Sequence, residues 1–276
     1  MQNLRSGFYT HLRLFSEFEL SRMFSTRRGI VSVVTFAVVW YFILFYPLRF
    51  AASVMVQEKQ AMHGLRFFEF IGLGGYQNWS VPELNVFWHF GLFIFPMLSI
   101  TLAADQTCSD RERGTLRFLS LRSSRNAIFF GRFAGVILIQ LLFIVFAGLS
   151  SLGLALYRDS TQLSIGLHEL LIILLNLWLV ILPFNAMMAA LSASVKSVRQ
   201  ATLWAILIWA CLSGIINLLA YYLPSLIFLK ILIPGEQLTE LAHLNAWQTL
   251  QLADIPLLQT LVLLSVGRWI LARQPL

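Results

Sequence analysis

Long uncharged apolar runs constrain this chain more than any other feature of its sequence. A helix needs about 20 mainly apolar residues to cross the hydrocarbon core of a bilayer. Runs of that length recur along the chain and are separated by short charged connections. Only 12% of the residues are charged, whereas about a quarter are charged in soluble domains. The chain is therefore predicted to be an all-α polytopic membrane protein.

The runs predict six transmembrane helices. Pro224 is expected to end the fifth, since proline interrupts a helix. Asp254 and Arg268 enclose only a short uncharged run, so a complete sixth span requires the Arg268 side chain to extend to the interface. Five spans plus a re-entrant segment is the alternative. The predicted spans are 30–48, 86–104, 133–157, 170–195, 200–223 and 255–271, within a six-span membrane domain of residues 29–276.

The basic residues predict which connections are cytoplasmic. Six spans place both termini on one side of the membrane. If that side is the cytoplasm, the inside segments hold fifteen Lys and Arg residues and the outside segments hold five. Cytoplasmic loops carry an excess of Lys and Arg, so both termini are predicted to be cytoplasmic. The net charge of +7 is explained in the same way, which argues against a nucleic-acid partner.

Residues 1–28 are predicted to form an N-terminal interfacial helix in the cytoplasm. Phe8, Leu12 and Phe15 fall in one helical sector, as expected of a helix that lies on the inner leaflet. Glu19 and Arg22 intrude on that sector, but their i,i+3 spacing lets them pair. A basic segment of modest helicity is the alternative interpretation.

The outside connections are unequal in length. Residues 51–85 are predicted to hold an outer interfacial helix. The connection between the fifth and sixth spans, 224–254, contains an apolar stretch too short to cross the membrane. Such a segment dips into the bilayer only where protein covers its backbone. It is predicted to be a re-entrant or outer segment.

The most charged cytoplasmic connection is "SDRERGTLRFLSLRSSR", residues 109–125. Ser109 and Glu112 have the spacing of a capping box, which favours a short helix that begins there. The Gly114–Thr115 pair lowers helix propensity and predicts a bend or restart. An ordinary positive-inside loop is one interpretation. A binding surface is the other, because Leu116, Phe118, Leu119 and Leu121 need lipid or a partner's groove.

The stretch "DRERGTLRFLSLRSSRNAIFFGRFAG" resembles the connection between the second and third spans of type-2 ABC-transporter permeases. The N-terminal "EFELSRMFSTRRGIVSVV" is similar to the entry helix of that family. The chain departs from the family at Arg122–Ser123, where a proline and a small apolar residue are usual. The matching positions are Glu112, Arg113, Gly114, Thr115, Leu116, Leu119, Ser124, Arg125, Gly131 and Arg132.

The resemblance implies that this connection is a coupling helix seated in a groove of a cytoplasmic ABC ATPase subunit. It implies apolar contact through Leu116, Phe118 and Leu119, and charge pairing through Arg113 and Arg117. Glu112 would start the helix, and Gly114–Thr115 would shape it. The sequence has no G-x-x-x-x-G-K-[S/T] loop. The resemblance therefore implies that ATP and Mg²⁺ are bound by the partner, so this chain has no cofactor and is not an enzyme by itself.

The resemblance also implies a second permease subunit, identical or different, in the inner membrane of a bacterium. Membrane lipid is a further partner, and the family leaves room for a periplasmic accessory protein. The substrate path would run at the dimer interface along the second and fifth spans. The candidate path residues are Phe93, Phe95, Trp209 and Asn217. Packing and interface anchoring are the commoner roles of such aromatic residues.

Three other classes compete with an exporter subunit. A secondary transporter usually carries an ionisable residue near the bilayer midplane, and no Asp or Glu lies well inside a predicted span. A haem-binding or redox protein would need facing histidines, and His89 and His168 are the candidates near the outer surface. A membrane scaffold without transport activity is also compatible with the sequence.

Overall fold

The computed structural model describes residues 2–50, 79–244 and 246–273 of the chain. These residues form helices and contain no β-strand. Six of the helices are long and apolar enough to cross a membrane, which confirms the predicted fold class and the number of spans. The outer interfacial helix predicted in the connection 51–85 falls on residues 51–78 and lies outside the described residues.

The described α-helices are, in chain order, α1 (Gln2–Ser25), α2 (Arg27–Ile43), α3 (Pro82–Leu102), α4 (Cys108–Glu112), α5 (Thr115–Arg122), α6 (Arg125–Arg158), α7 (Leu163–Ser194), α8 (Val198–Tyr222), α9 (Leu238–Leu241) and α10 (Asp254–Arg273). The first to sixth spans are α2, α3, α6, α7, α8 and α10. The helix α2 continues into a π-helical turn, Leu44–Leu48.

Hydroxyl side chains begin the odd-numbered spans. Thr26 Oγ1 accepts a hydrogen bond from the Gly29 amide at 3.1 Å. Ser124 Oγ accepts from the Ala127 amide at 3.2 Å at the start of the third span. Such caps satisfy one of the amides that the first turn of a helix leaves without a partner. The sequence therefore specifies where these spans begin at one end of the bundle.

The third span is longer than the membrane requires. Its 34 residues extend about 51 Å at the usual helical rise, whereas the hydrocarbon core is about 30 Å thick. The helix is therefore long enough to extend beyond the hydrocarbon core, and α1 packs against it. Gly131 and Gly135 allow this approach: a Cβ at Gly135 would lie 2.7 Å from Cβ of Glu19, and one at Gly131 would lie 2.6 Å from Cβ of Phe15.

Polar side chains join the second, third and fourth spans. Gln140 and Asn185 exchange amide hydrogen bonds of 2.9 and 2.8 Å, and Ser99 Oγ donates to Gln140 Oε1 at 2.8 Å. All three residues are buried. Interhelical hydrogen bonds of this kind stabilise helix association within a membrane, where the lipid and the neighbouring helices are equally apolar. These three spans form the centre of the bundle.

The segment between the fifth and sixth spans is irregular. It contains two 3₁₀ stretches, Pro224–Leu232 and Ala246–Leu252, with the one-turn helix α9 between them. Trp209 of the fifth span donates to the Pro234 carbonyl at 2.9 Å. Gln259 of the sixth span donates to the carbonyl oxygens of Ile231 and Ile233 at 2.6 and 3.1 Å. Side chains of the two spans thus satisfy backbone carbonyls of this segment, whose depth in the membrane stays a prediction.

Candidate functional site

The charged connection between the second and third spans folds as two short helices, α4 and α5. Gly114 lies between them with φ 71°, a left-handed conformation that favours glycine. Thr115 Oγ1 donates to the Asp110 carboxylate at 3.0 Å, which bonds the start of α5 to α4. The restart predicted at Gly114–Thr115 is therefore confirmed.

The predicted capping box is wrong. The helix α4 begins at Cys108 and ends at Glu112, so Ser109 is not its cap and Glu112 does not start it. Ser192 Oγ of the fourth span instead accepts from the Cys108 amide at 3.1 Å, and Asp105 Oδ1 accepts from the Ser109 amide at 3.3 Å. A hydroxyl from a distant part of the chain takes the place of the local cap, and no local pattern reveals it.

Arg111 bonds α4 to the end of the fourth span. Its guanidinium donates to the Val195 carbonyl at 3.2 Å and to the Ala193 carbonyl. The last carbonyls of a helix have no partner within the helix and carry partial negative charge. The arginine therefore satisfies acceptors that the fourth span leaves open. This contact holds α4 against the central bundle.

A buried ion cluster, formed by Glu19, Arg22, Asp110 and Arg132, joins α1, α4 and the third span. Arg132 is 2% exposed, forms ion pairs with Asp110 and with Glu19 at 3.5 Å, and donates to the Gln106 carbonyl at 2.6 Å. Glu19 is also 2% exposed and pairs with Arg22 at 2.9 Å, which confirms the predicted i,i+3 pair. Removing one partner of a buried ion pair costs several kcal/mol of stability, because the remaining charge is then buried without a partner.

The electrostatics of Glu19 follow from its position. Burial raises the pKa of the Glu19 carboxyl, while the guanidiniums of Arg132 and Arg22 oppose that shift. In the sequence, Arg132 is only a match to a family motif, and no pattern assigns it this contact. The signal that was available is a single arginine close to the start of an apolar run, where a charge requires a partner.

The helix α5 has one buried side and one exposed side. Leu116 is 6% exposed and belongs to a cluster with Ile128 and Phe129 of the third span, against which Leu119 is partly buried. Phe118 and Leu121 are 71% and 83% exposed. The expectation that all four apolar side chains are exposed is therefore wrong. The chain folds back after Arg122, so the third span covers one side of α5.

The charged candidates of this connection lie at its surface. Arg113 and Arg117 are exposed, as is Glu112 at the end of α4. These three charged residues and the exposed Phe118 and Leu121 are called here the α5 surface. The connection is therefore bonded to the helix bundle on one side. It exposes the apolar side chains of Phe118 and Leu121 to the surroundings.

The four candidate path residues are not equivalent. Phe95 is 2% exposed and packs edge-on to Phe87, with ring centroids 6.4 Å apart, so it has no face on the surface of the protomer. Phe93 is exposed on the same span. Trp209 is partly exposed, and Asn217 is exposed while its side chain donates to the Ser213 carbonyl of its own helix. Three of the four residues therefore remain available to a path at a subunit interface.

The two candidate redox histidines have protein contacts of their own. His89 is 1% exposed, and its Nδ1 lies 2.8 Å from the Asn85 carbonyl. His168 packs edge-on to Trp247 with ring centroids 5.7 Å apart. In the part of the chain that the structure describes, no three His, Cys, Asp or Glu residues are grouped so that they could hold a metal ion.

Comparison with known proteins identifies the family. The model of the family described as ABC-2 family transporter protein matches residues 16–271. A search of curated proteins finds no match to the chain. The family match includes the second part of α1, the charged connection and the six spans, the last of them up to residue 271. This multi-pass membrane protein therefore belongs to the ABC-2 family of transporter proteins.

Proposed function

We propose that this chain is the permease subunit of an ATP-driven ABC exporter and that α4 and α5 receive the movement of a separate ATPase subunit. One observation carries the proposal: the connection is bonded on its inner side to α1, the third span and the fourth span, while the α5 surface is open. An element that only joins two spans needs neither the buried ion cluster nor an exposed apolar patch.

The contacts suggest how movement would pass from the ATPase to the membrane. Phe118, with Leu119 beside it, would enter an apolar groove of the ATPase, and Arg117 would pair with an acidic residue beside that groove. Arg113 lines a cavity shared with α1 and the first span, so it would not pair with the ATPase. Glu112 would face a basic residue. Leu116 would not touch the ATPase, since it fixes α5 to the third span. A displacement of α5 would then move the third and fourth spans with it.

The proposal places the chemistry in the partner. The phosphates of ATP and the Mg²⁺ ion would be held by the ATPase, because this chain lacks the loop that surrounds nucleotide phosphates. This chain would bind no cofactor and would contribute no catalytic residue. Its contribution is to convert the closure of two ATPase subunits into a rearrangement of membrane helices.

A second permease subunit, identical to this chain or related to it, completes the proposal. The fifth span has only Ala201, Ala205 and Ile216 buried within the protomer. A second subunit against this face would place Phe93, Trp209 and Asn217 beside a path between subunits. The location would be a bacterial inner membrane with both termini in the cytoplasm, as the distribution of Lys and Arg favours.

Cross-linking tests the ATPase contact directly. Cys211 is exposed and Cys108 is buried, so Cys211→Ala gives a background with little reactive thiol. Phe118→Cys in that background should cross-link to the co-expressed ATPase subunit. Tyr157→Cys is the matched control, because Tyr157 is 88% exposed at the other end of the third span. Equal cross-linking at both positions, or none at Phe118→Cys, would refute the contact.

Uncoupling tests the function. Phe118→Asp changes an exposed side chain, so the chain should insert and fold while transport-linked ATP hydrolysis by the complex falls about tenfold or more, as for the loss of an interface hot spot. Leu119→Asp should also uncouple but would disturb packing within the chain. Full transport by Phe118→Asp would contradict the proposal. A complex with no transport in any variant would favour the scaffold alternative.

A further inference from the structure

Two adjoining cavities lie between α1, the first span and the second span. The first has a volume of about 570 Å³ and is lined by charged and hydroxyl side chains together with apolar ones. The second has a volume of about 280 Å³ and is lined mainly by apolar side chains of the first and second spans. Ser32 and Leu102 line both cavities, which makes them one continuous crevice.

The first cavity is lined by two arginines, Arg27 and Arg113, that do not bond to its carboxylates. Its carboxylates are engaged within the protein: Glu19 and Asp110 belong to the buried ion cluster, and Asp105 accepts from the Ser109 amide. Among the described residues, neither the Arg27 nor the Arg113 guanidinium has a hydrogen-bond or ion-pair partner. Two open guanidiniums at the mouth of a cavity favour an anionic ligand with several oxygen acceptors.

The second cavity is suited to a hydrocarbon chain. Its walls include Phe36, Val39 and Trp40 of the first span, Leu98 of the second and Phe143 of the third. The lining residues of the first span extend from Val31 to Ile43, which is more than three helical turns. A free phosphate or a soluble headgroup would leave this part of the crevice without an apolar occupant.

The crevice also lies at the depth where a phospholipid is held. The apolar window of the first span begins at Gly29, so Arg27 is at the boundary between headgroups and hydrocarbon. The apolar cavity follows the same span from Val31 to Ile43, inside the hydrocarbon region. A phosphate beside Arg27 and an acyl chain beside Val39 would therefore occupy their usual depths.

We propose that this crevice binds one anionic glycerophospholipid, with its phosphate between Arg27 and Arg113 and an acyl chain in the groove beside the first span. The lipid would bridge the first span to the α4 and α5 connection through Arg113. The proposal goes beyond the exporter function and needs no ATPase. Failure of one therefore leaves the other standing.

Native mass spectrometry of the full chain tests the proposal. The protein is transferred from nanodiscs of equal parts phosphatidylglycerol and phosphatidylcholine, and the retained lipid is identified by mass. The wild type should retain one phosphatidylglycerol. Arg27→Ala and Arg113→Ala should each lower retention about fivefold, since one interfacial arginine contributes about that factor. Arg199→Ala, an exposed arginine at the start of the fifth span, should change nothing.

A second pair of variants tests the groove without altering charge. Thr35→Trp fills the apolar cavity, which Thr35 lines, and should abolish retention of phosphatidylglycerol. Val34→Trp is the control, because Val34 is 54% exposed on the same helix and lines neither cavity. Each variant is first shown to have wild-type helicity and elution volume.

Three outcomes would overturn the proposal. Equal retention by the wild type, Arg27→Ala and Thr35→Trp would show that the crevice is not the lipid site. If phosphatidylcholine were retained as well as phosphatidylglycerol, Arg27 and Arg113 would not select an anionic headgroup. Displacement of the lipid by inorganic phosphate, with Thr35→Trp behaving as the wild type, would show an anion site without an acyl chain.

Discussion

The second, third and fourth spans, called here the inner spans, differ from the first, fifth and sixth, the outer spans, in surroundings and hardly in hydropathy. The inner spans have mean hydropathies of 1.8, 2.4 and 2.3, and the outer spans have 2.1, 2.1 and 1.6. The buried shares are 56%, 50% and 78% for the inner spans but 17%, 11% and 28% for the outer ones. Apolarity therefore places a helix in the membrane without deciding whether it faces protein or lipid.

Polar side chains mark the difference better. Gln140 and Asn185 bond to each other across two inner spans. Asn176 of the fourth span donates to Thr249 Oγ1 at 2.8 Å. Asn217 of the fifth span is exposed and bonds to its own helix. Lipid tails are as apolar as leucine, so hydrogen bonds and close packing, rather than hydrophobicity, select the partners of a span.

The largest effect that would test this comparison is expected from Arg132→Met. The substitution leaves Glu19 and Asp110 near each other without their shared cation. We expect the free energy of unfolding in mixed micelles to fall by about 3–5 kcal/mol, as for a broken buried ion pair. Arg268→Met is the control, because Arg268 is exposed on an outer span. Similar losses of unfolding free energy in both variants would mean that the ion cluster does not hold α1 and α4 against the third span.

The second largest effect is expected from Gly135→Leu. A side chain there meets Cβ of Glu19 at 2.7 Å and Cα of Ser16 at 3.1 Å, so α1 must move away from the third span. Overpacking of this kind costs about 1–3 kcal/mol. The measurement is thermal unfolding together with proteolysis of α1.

Gly153 of the same helix supplies the matched control for that substitution. No atom lies within 4 Å of a Cβ built at Gly153, so Gly153→Leu should leave both stability and proteolysis unchanged. If α1 stays protected from proteolysis in Gly135→Leu, the close approach at Gly135 does not hold α1 against the third span.

A smaller effect is expected when the amide pair is removed. Asn185→Leu leaves the Gln140 amide without its partner and should lower the free energy of unfolding by about 1 kcal/mol. Asn217→Leu, on an outer span, should change it little. The double variant Gln140→Leu with Asn185→Leu should recover part of the loss, since neither side chain of the pair then leaves a buried amide without its partner. Equal effects at Asn185 and Asn217 would contradict the distinction between the two groups of spans.

The smallest effect is expected in the pH dependence of the free energy of unfolding. Because burial raises the pKa of Glu19, the folded state binds this proton more tightly than the unfolded state does. The corresponding stability is present below the usual glutamate pKa of about 4.3 and is lost as pH rises through the raised pKa of the folded state. Glu19→Gln should therefore be less sensitive than the wild type to a rise in pH across that window.

The control for the pH experiment is Glu17→Gln, on the exposed side of α1, where Glu17 pairs with Arg13 at 2.6 Å. Unfolding midpoints measured across the same pH window should keep the wild-type slope in this control. A wild-type slope in Glu19→Gln would mean that the Glu19 carboxyl is not the group responsible.

The candidate site was predictable where its signals are local. The break at Gly114 follows from glycine and from its neighbour Thr115, and the Glu19–Arg22 pair follows from helical spacing. Leu116 could not be separated from Phe118 in the sequence, because both are apolar and the difference depends on which side of α5 the third span covers.

The sequence by itself determined the number of spans, the break in the charged connection and the Glu19–Arg22 pair. These depend on run length, backbone propensity and the positions of charges, all of which are local. Only the tertiary structure decided which three spans lie inside, that Arg132 serves both Glu19 and Asp110, and that Ser192 begins α4. The reason is physical: within a membrane, apolar side chains gain equally from lipid and from protein. Partners are therefore chosen by hydrogen bonds and close approaches between residues that are far apart in the chain.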